Sequence, residues 1–189
     1  MQKDDLGGRP PVLRRRELLR FGACATALVL PLSALARTAP NESEKELRLY
    51  NLHTGERLKA VYWTKGQYLP DARAAINQIL RDHYSDEVTE IDPSLLDLIY
   101  RIQRGLGAQD GLDVVCGYRS PETNAELVAE GRVRAVNSYH ISGQALDFRV
   151  PGRDLRQVRK FAMSLAGGGV GYYPRAHFIH VDVGPVRHW

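Results

Sequence analysis

The segment Phe178-Ile179-His180-Val181-Asp182-Val183 alternates strictly. In an extended strand a period of two places Ile179, Val181 and Val183 on one face and Phe178, His180 and Asp182 on the other. Ala145-Leu146-Asp147-Phe148-Arg149-Val150 repeats the pattern, with Leu146, Phe148 and Val150 alternating against Ala145, Asp147 and Arg149. Each stretch therefore reads as a strand with an apolar core face. The opposite faces carry His180 with Asp182, and Asp147 beside the small Ala145, which is the layout of a sheet with one chemically equipped side.

The rest of the chain supplies more strands and four helices. Leu47 to Asn51 and Arg57 to Tyr62 flank His53-Thr54-Gly55-Glu56 as a hairpin. Ala72, Ile76, Ile79 and Leu80 recur at helical spacing after Pro70-Asp71, predicting a helix to about Asp82. Asp92 can cap a second helix that starts at Pro93, carries the stripe Leu95, Ile99, Ile102 and Leu106, and ends near Gly105 and Gly107. Leu112 to Cys116 reads as a strand, and Ser120-Pro121-Glu122 opens a third helix to about Glu130. Asp154 caps a fourth, Leu155 to Leu165, ended by Gly167-Gly168-Gly169. Strands and helices are mixed rather than strictly alternating, and several strands follow hairpin-like turns. The expected class is α+β, a single domain over residues 47–189 with a central antiparallel sheet and flanking helices.

The formal charge of +4 could point to nucleic acid, so its location matters. Residues 1–36 hold six Lys/Arg against three acids, which leaves twenty basic and nineteen acidic residues in 37–189. The basic character belongs mostly to the first segment, and no nucleic-acid partner is expected. That segment runs Arg14-Arg15-Arg16-Glu17-Leu18-Leu19-Arg20, then a mostly apolar stretch from Phe21, then Ala34-Leu35-Ala36. It has the basic region, the short apolar region and the A-x-A site of a cleaved export signal, too short to remain as a comfortable membrane span. Arg15-Arg16-x-Leu18-Leu19-Arg20 resembles the twin-arginine consensus, which implies export by the Tat translocase and a periplasmic location. Phe21 is a poor match to a lipobox before Cys24, so cleavage after Ala36 is expected. Residues 37–46 are polar and unpatterned, the composition of a flexible arm. One cysteine, Cys116, remains beyond residue 36 and reads as a small buried strand residue.

His140 and Asp147 are seven residues apart, with Gly143 able to fold a loop histidine back over a strand aspartate. Two imidazoles, His140 and His180, with the Asp147 carboxylate suit Zn²⁺ and leave a fourth position for water.

Ser138-x-His140-x-x-Gly143-x-Ala145-x-Asp147 resembles the signature of the zinc peptidases that include the D,D-carboxypeptidases, the VanX-type D,D-dipeptidases and phage endolysin peptidases. Asn51-Leu52-His53-Thr54-Gly55-Glu56, Gly117-Tyr118-Arg119-Ser120, Gly168-Gly169-Val170-Gly171-Tyr172-Tyr173-Pro174-Arg175 and His180-Val181-Asp182-x-Gly184-Pro185-x-Arg187-His188-Trp189 are similar to the YcbK-like murein endopeptidase branch. The resemblance implies a hedgehog/D,D-peptidase-like fold and zinc ligands His140, Asp147 and His180. It implies hydrolysis of peptidoglycan cross-links by metal-activated water, including links between two diaminopimelate residues. Arg119 would point into the cleft to hold a substrate carboxylate or polarise the scissile carbonyl, and Ser138 would orient the His140 loop or contact substrate. The wider superfamily has a glutamate three residues before the last ligand, whereas here His177 stands there. His177 or Asp182 is then the candidate general base, with Asp182 equally readable as a carboxylate orienting a ligand. His53 and His188 read as structural or rim residues, and Tyr118, Tyr139, Tyr172, Tyr173 and Trp189 as groove or core aromatics. A carboxypeptidase or dipeptidase trimming stem peptides, and a zinc-containing binding module without turnover, are the alternatives.

Overall fold

The computed structural model describes residues 43–189, so the expected export leader and residues 37–42 of the expected arm lie outside the described residues. Their elements run β1 (Glu44–Asn51), β2 (Arg57–Thr64), β3 (Gln67–Tyr68), α1 (Pro70–Ile79), α2 (Pro93–Gly105), β4 (Leu112–Cys116), α3 (Pro121–Ala129), β5 (Ala145–Arg149), α4 (Leu155–Ser164), β6 (Gly169–Tyr173), β7 (Phe178–Asp182) and β8 (Arg187–His188). β1 takes in Glu44, Lys45 and Glu46, whose composition reads as an arm. Lys45 and Glu46 pair with Trp63 and Val61 of β2, and the Lys45 ammonium reaches Asp97 at 3.0 Å.

Helix starts follow capping chemistry. Asp92 accepts from the Ser94 N–H at 2.8 Å, Ser120 from Thr123 at 3.1 Å, and Asp154 from Arg156 at 2.9 Å, each cap contributing about 1 kcal/mol. α2 then buries Leu95, Leu96, Ile99 and Ile102 completely, in one cluster with Leu47 of β1, Leu112 of β4 and Val158 of α4. Leu146 and Phe148 of β5 and Ile179 and Val181 of β7 are fully buried in the same core, on the faces their alternation assigns them. No helix among the described residues is long and apolar enough to cross a membrane.

The strands form one sheet in the order β3-β2-β1-β4-β5-β7-β6-β8. The expectation of an antiparallel sheet needs correction, because the sheet is mixed: β1 runs parallel to β4, and β6 parallel to β8. After the antiparallel run β1-β2-β3 the chain leaves the sheet through α1 and α2 and returns as β4 beside β1, the kind of long crossover that lets a strand return in the same direction. β7 folds back on β6, and the turn after Asp182 carries β8 to the other edge of β6, parallel to it.

β6 is the strand that propensity conceals. Glycine weakens a strand, and Gly167-Gly168-Gly169 reads as a helix stop. Yet a Cβ at Gly169 would lie 2.4 Å from Asp182 Oδ2, and one at Gly171 would lie 2.8 Å from the Trp189 indole. The two glycines clear the space that the side chains of β7 and the C-terminal residue occupy.

Candidate metal centre

Register brings the chemistry together. In the β5–β7 ladder Asp147 stands opposite His180, and Ala145 opposite Asp182. Opposed residues share a face, so the two polar faces merge into one. His140 arrives from the loop before β5, where its N–H donates to Ser138 Oγ at 3.3 Å. The loop closes at Gly143, whose φ of +66° is left-handed and whose Cβ position lies 2.5 Å from the Glu90 carbonyl oxygen. Asp92, the cap of α2, donates its N–H to Gly143 O and accepts from the Gln144 amide, both at 3.0 Å. The start of α2 therefore pins the His140 loop. Gly143→Ala is expected to cost about 2 kcal/mol or more through left-handed strain plus the clash. A thermal melt reads this, and an unchanged midpoint would contradict it.

The inward donors are close. His140 Nε2 lies 3.2 Å from His180 Nδ1, His180 Nδ1 lies 2.8 Å from Asp147 Oδ1, and His140 Nε2 lies 3.4 Å from the same oxygen. Ligands about 2.0–2.1 Å from a tetrahedral ion sit roughly 3.3 Å apart, so this donor set fits zinc. The outward nitrogens are also engaged: His140 Nδ1 is 2.6 Å from Gly117 O, and His180 Nε2 is 3.0 Å from Asp182 Oδ2. Those acceptors take the outward ring protons and leave Nε2 of His140 and Nδ1 of His180, both facing Asp147, as the nitrogens that would give their lone pairs to a metal.

Asp182 is completely buried and accepts five hydrogen bonds. They come from the Gly169 and Gly184 N–H groups, from His180 Nε2, and from two Arg187 nitrogens at 3.0 and 2.8 Å. The Arg187 guanidinium is in turn held 5.1 Å from the rings of both Tyr139 and Trp189. Burial pushes the Asp182 pKa up, but His180, Arg187 and the two backbone donors outweigh it and hold the carboxyl well below the usual range.

Cys116 joins this group, a placement that alternation along β4 does not foretell. Leu112, Val114 and Cys116 share a face on paper, but the β4–β5 register shifts between Val114 and Cys116, so that Cys116 opposes Asp147. The bulge turns the thiol from the core side to the metal side. The Cys116, His140 and Asp147 donor atoms lie within 4.8 Å of one another. Arg119 is buried beside them, with Nη2 3.4 Å from Cys116 Sγ and Nη1 3.2 Å from Asn124 Oδ1. Asn124 also donates to the Ala135 and Val136 carbonyls, which ties Arg119 to the segment leading into the His140 loop.

His177 is not brought into the group. It is exposed in the β6–β7 turn at φ +57°, three residues and about 10 Å of strand from His180. His53 is exposed and stacks on His83 with 3.7 Å between ring centroids, and burial lowers the His83 pKa to about 4. His188 is exposed in β8, Tyr118 is in the core, Tyr172 packs against it, and Tyr173 and Trp189 are exposed, joined by an indole N–H to hydroxyl bond of 2.9 Å.

Burial disfavours a charged His140, but Asp147, together with Cys116, outweighs it and holds the imidazole pKa well above its ordinary value. Burial likewise raises Asp147, and the two histidines overcome it and hold that carboxyl well below its range. The ion-free cluster thus keeps a proton on histidine that a metal must displace. Below the raised His140 pKa, apparent metal affinity is expected to fall roughly tenfold per pH unit, with about one proton released per ion bound. Calorimetry in buffers of different ionisation enthalpy measures both, and an affinity flat through neutrality would contradict the donor set.

Comparison with known proteins gives a consistent picture. The family model described as peptidoglycan L,D-endopeptidase MepK matches residues 39–189. The peptidoglycan L,D-endopeptidase MepK of Escherichia coli is 44% identical over 176 residues, 93% of this chain and 96% of that protein. The probable peptidoglycan L,D-endopeptidase MepK of Haemophilus influenzae is 41% identical over 177 residues, 93% of this chain and 95% of its own length. No solved structure matches this chain.

Proposed function

This chain belongs to the MepK family of peptidoglycan L,D-endopeptidases and is a murein endopeptidase, and we propose that it cuts peptidoglycan cross-links in the periplasm using zinc held by His140, Asp147 and His180. The observation that carries the zinc assignment is the set of three buried donors 2.8 to 3.4 Å apart, with both outward ring nitrogens already engaged. When bound, zinc supplies a Lewis acid and a water whose pKa falls toward ~7. The chain's own residues do the rest. Gly117 O and Asp182 orient the two imidazoles, and Ser138 holds the His140 backbone. Asp182 has all its acceptor capacity in use, which supports the orienting role over that of a base. In this reading Arg119, whose guanidinium bonds to Asn124 and Cys116, holds a stem-peptide carboxylate or the scissile carbonyl.

Arg119→Ala is expected to lower kcat/KM about 10²-fold with metal content unchanged, and His177→Asn to leave the rate within about twofold. Export by the Tat translocase is supported by Arg15-Arg16-x-Leu18-Leu19-Arg20 and the A-x-A site ending at Ala36. The test is to incubate the purified protein with isolated sacculi, with and without chelator, and to weigh the released muropeptides by mass spectrometry. Conversion of dimers to monomers that stops with chelator and returns with zinc is the expected result. Conversion indifferent to chelator, or trimming of monomers alone, would overturn the proposal.

A further inference from the structure

The outer side of α4 carries a cationic cavity that the metal centre does not use. Arg156, Arg159, Lys160 and Met163 of α4 and Tyr172 of β6 line a surface cavity of ≈ 350 Å³. It lies across the sheet from the metal centre. On β6, Gly169 and Gly171 abut Asp182 and Trp189, and alternation turns Tyr172 the other way, onto the core packed by α4.

Three features of this cavity work against the helix that forms it. Arg156 stands at i+3 from Arg159 and i+4 from Lys160, spacings at which like charges repel on a helix. The Arg159 Nε atom is buried without a hydrogen-bond partner, while the guanidinium lies 5.2 Å from the Tyr172 ring centroid. Among the described residues the ion pairs include none of the three cations, and no carboxylate lines the cavity. Residues 153–160 hold four basic side chains against Asp154 alone, and Asp154 is occupied as the α4 cap. A face that needed only solvation would intersperse acids with these bases.

We propose that this cavity is an accessory site for the carboxylates of peptidoglycan stem peptides, anchoring the enzyme on the sacculus independently of the metal centre. This rests on the endopeptidase reading, which makes a carboxylate-rich peptide mesh the surface the enzyme works on. Guanidinium forks pair with carboxylates, and the Tyr172 ring and Met163 offer apolar walls to the peptide's aliphatic part. Because cavity and metal centre open on opposite sides of the sheet, the stem peptide held here belongs to a strand other than the one being cut.

The test uses the full protein and the variant Arg156→Glu/Arg159→Gln/Lys160→Glu, with Arg156→Lys/Arg159→Lys as a charge-conserving control. Co-sedimentation with sacculi is measured in chelator, so that nothing is cut, and hydrolysis of a soluble cross-linked dimer is measured separately with zinc. The expected result is about tenfold weaker sedimentation for the charge-altered variant, with dimer hydrolysis within about twofold of the native protein and sedimentation of the control between the two, since lysine keeps the charge and loses the fork. Native protein should lose the same retention on sacculi whose carboxylates have been amidated, a measurement that does not depend on the variant folding. Unchanged retention in either arm would overturn the site. Retention lost by the variant but indifferent to amidation would assign the cavity to another anion and overturn the proposal as well. Failure of native protein to cut the dimer would instead count against the endopeptidase reading, and the sedimentation arms would still decide the accessory site.

Discussion

Asp147→Ala is expected to abolish stoichiometric metal binding and to lower endopeptidase activity by at least about 10³-fold while the fold survives. Asp147 lies within 2.8 Å of His180 Nδ1 and 3.4 Å of His140 Nε2, so its loss removes one donor and the charge that organises the other two. The backbone ladder of β5 does not depend on that side chain, and the core contacts of Leu146 and Phe148 remain. A buried anion is removed together with the imidazolium that it stabilised, since His140 owes its raised pKa to Asp147. The variant should therefore melt near the native ion-free protein, and added zinc should raise the melting temperature of native protein alone. Full activity in folded Asp147→Ala would remove the metal centre from the mechanism.

Asp182→Asn is expected to weaken metal affinity about 10- to 100-fold, with activity returning toward native at saturating zinc. Asp182 is the acceptor for His180 Nε2 and, among the described residues, the carboxylate partner of Arg187, so the amide would leave a buried ring proton and a guanidinium poorly matched. A general base would behave differently, giving native metal affinity and a rate loss that excess zinc does not repair. Arg187→Ala should follow Asp182→Asn in direction, because the Arg187 fork between Tyr139 and Trp189 holds the carboxylate in place.

The chemistry of this centre is legible in the chain, and its assembly much less so. Strict alternation marks Asp147, His180 and Asp182 as side chains turned away from the core, and Gly143 as the bend that returns His140. Alternation within a strand says nothing about which strand lies beside it, and the pairing of Asp147 with His180 is a property of register. Cys116 was hidden for the same reason, since the one-residue bulge that turns it toward Asp147 is set by β4 meeting β5. The strand at Gly169–Tyr173 goes against glycine's poor strand propensity because neighbouring side chains need the room. The parallel pairs arise from where crossovers return, which local patterns do not encode. His177 shows the converse case: a spacing of three residues before a ligand looks catalytic on paper, and a left-handed turn leaves the side chain exposed and apart from the cluster in this structure.

The most direct measurement gives the zinc-loaded protein two soluble muropeptide dimers, one joined by an L,D cross-link and one by a D,D cross-link, and follows each by mass with and without chelator. Chelator-sensitive cleavage of the L,D dimer, absent from folded His180→Ala, is the predicted result. Stoichiometric zinc with neither dimer cut would contradict it and leave a metal-containing binding module in place of an enzyme.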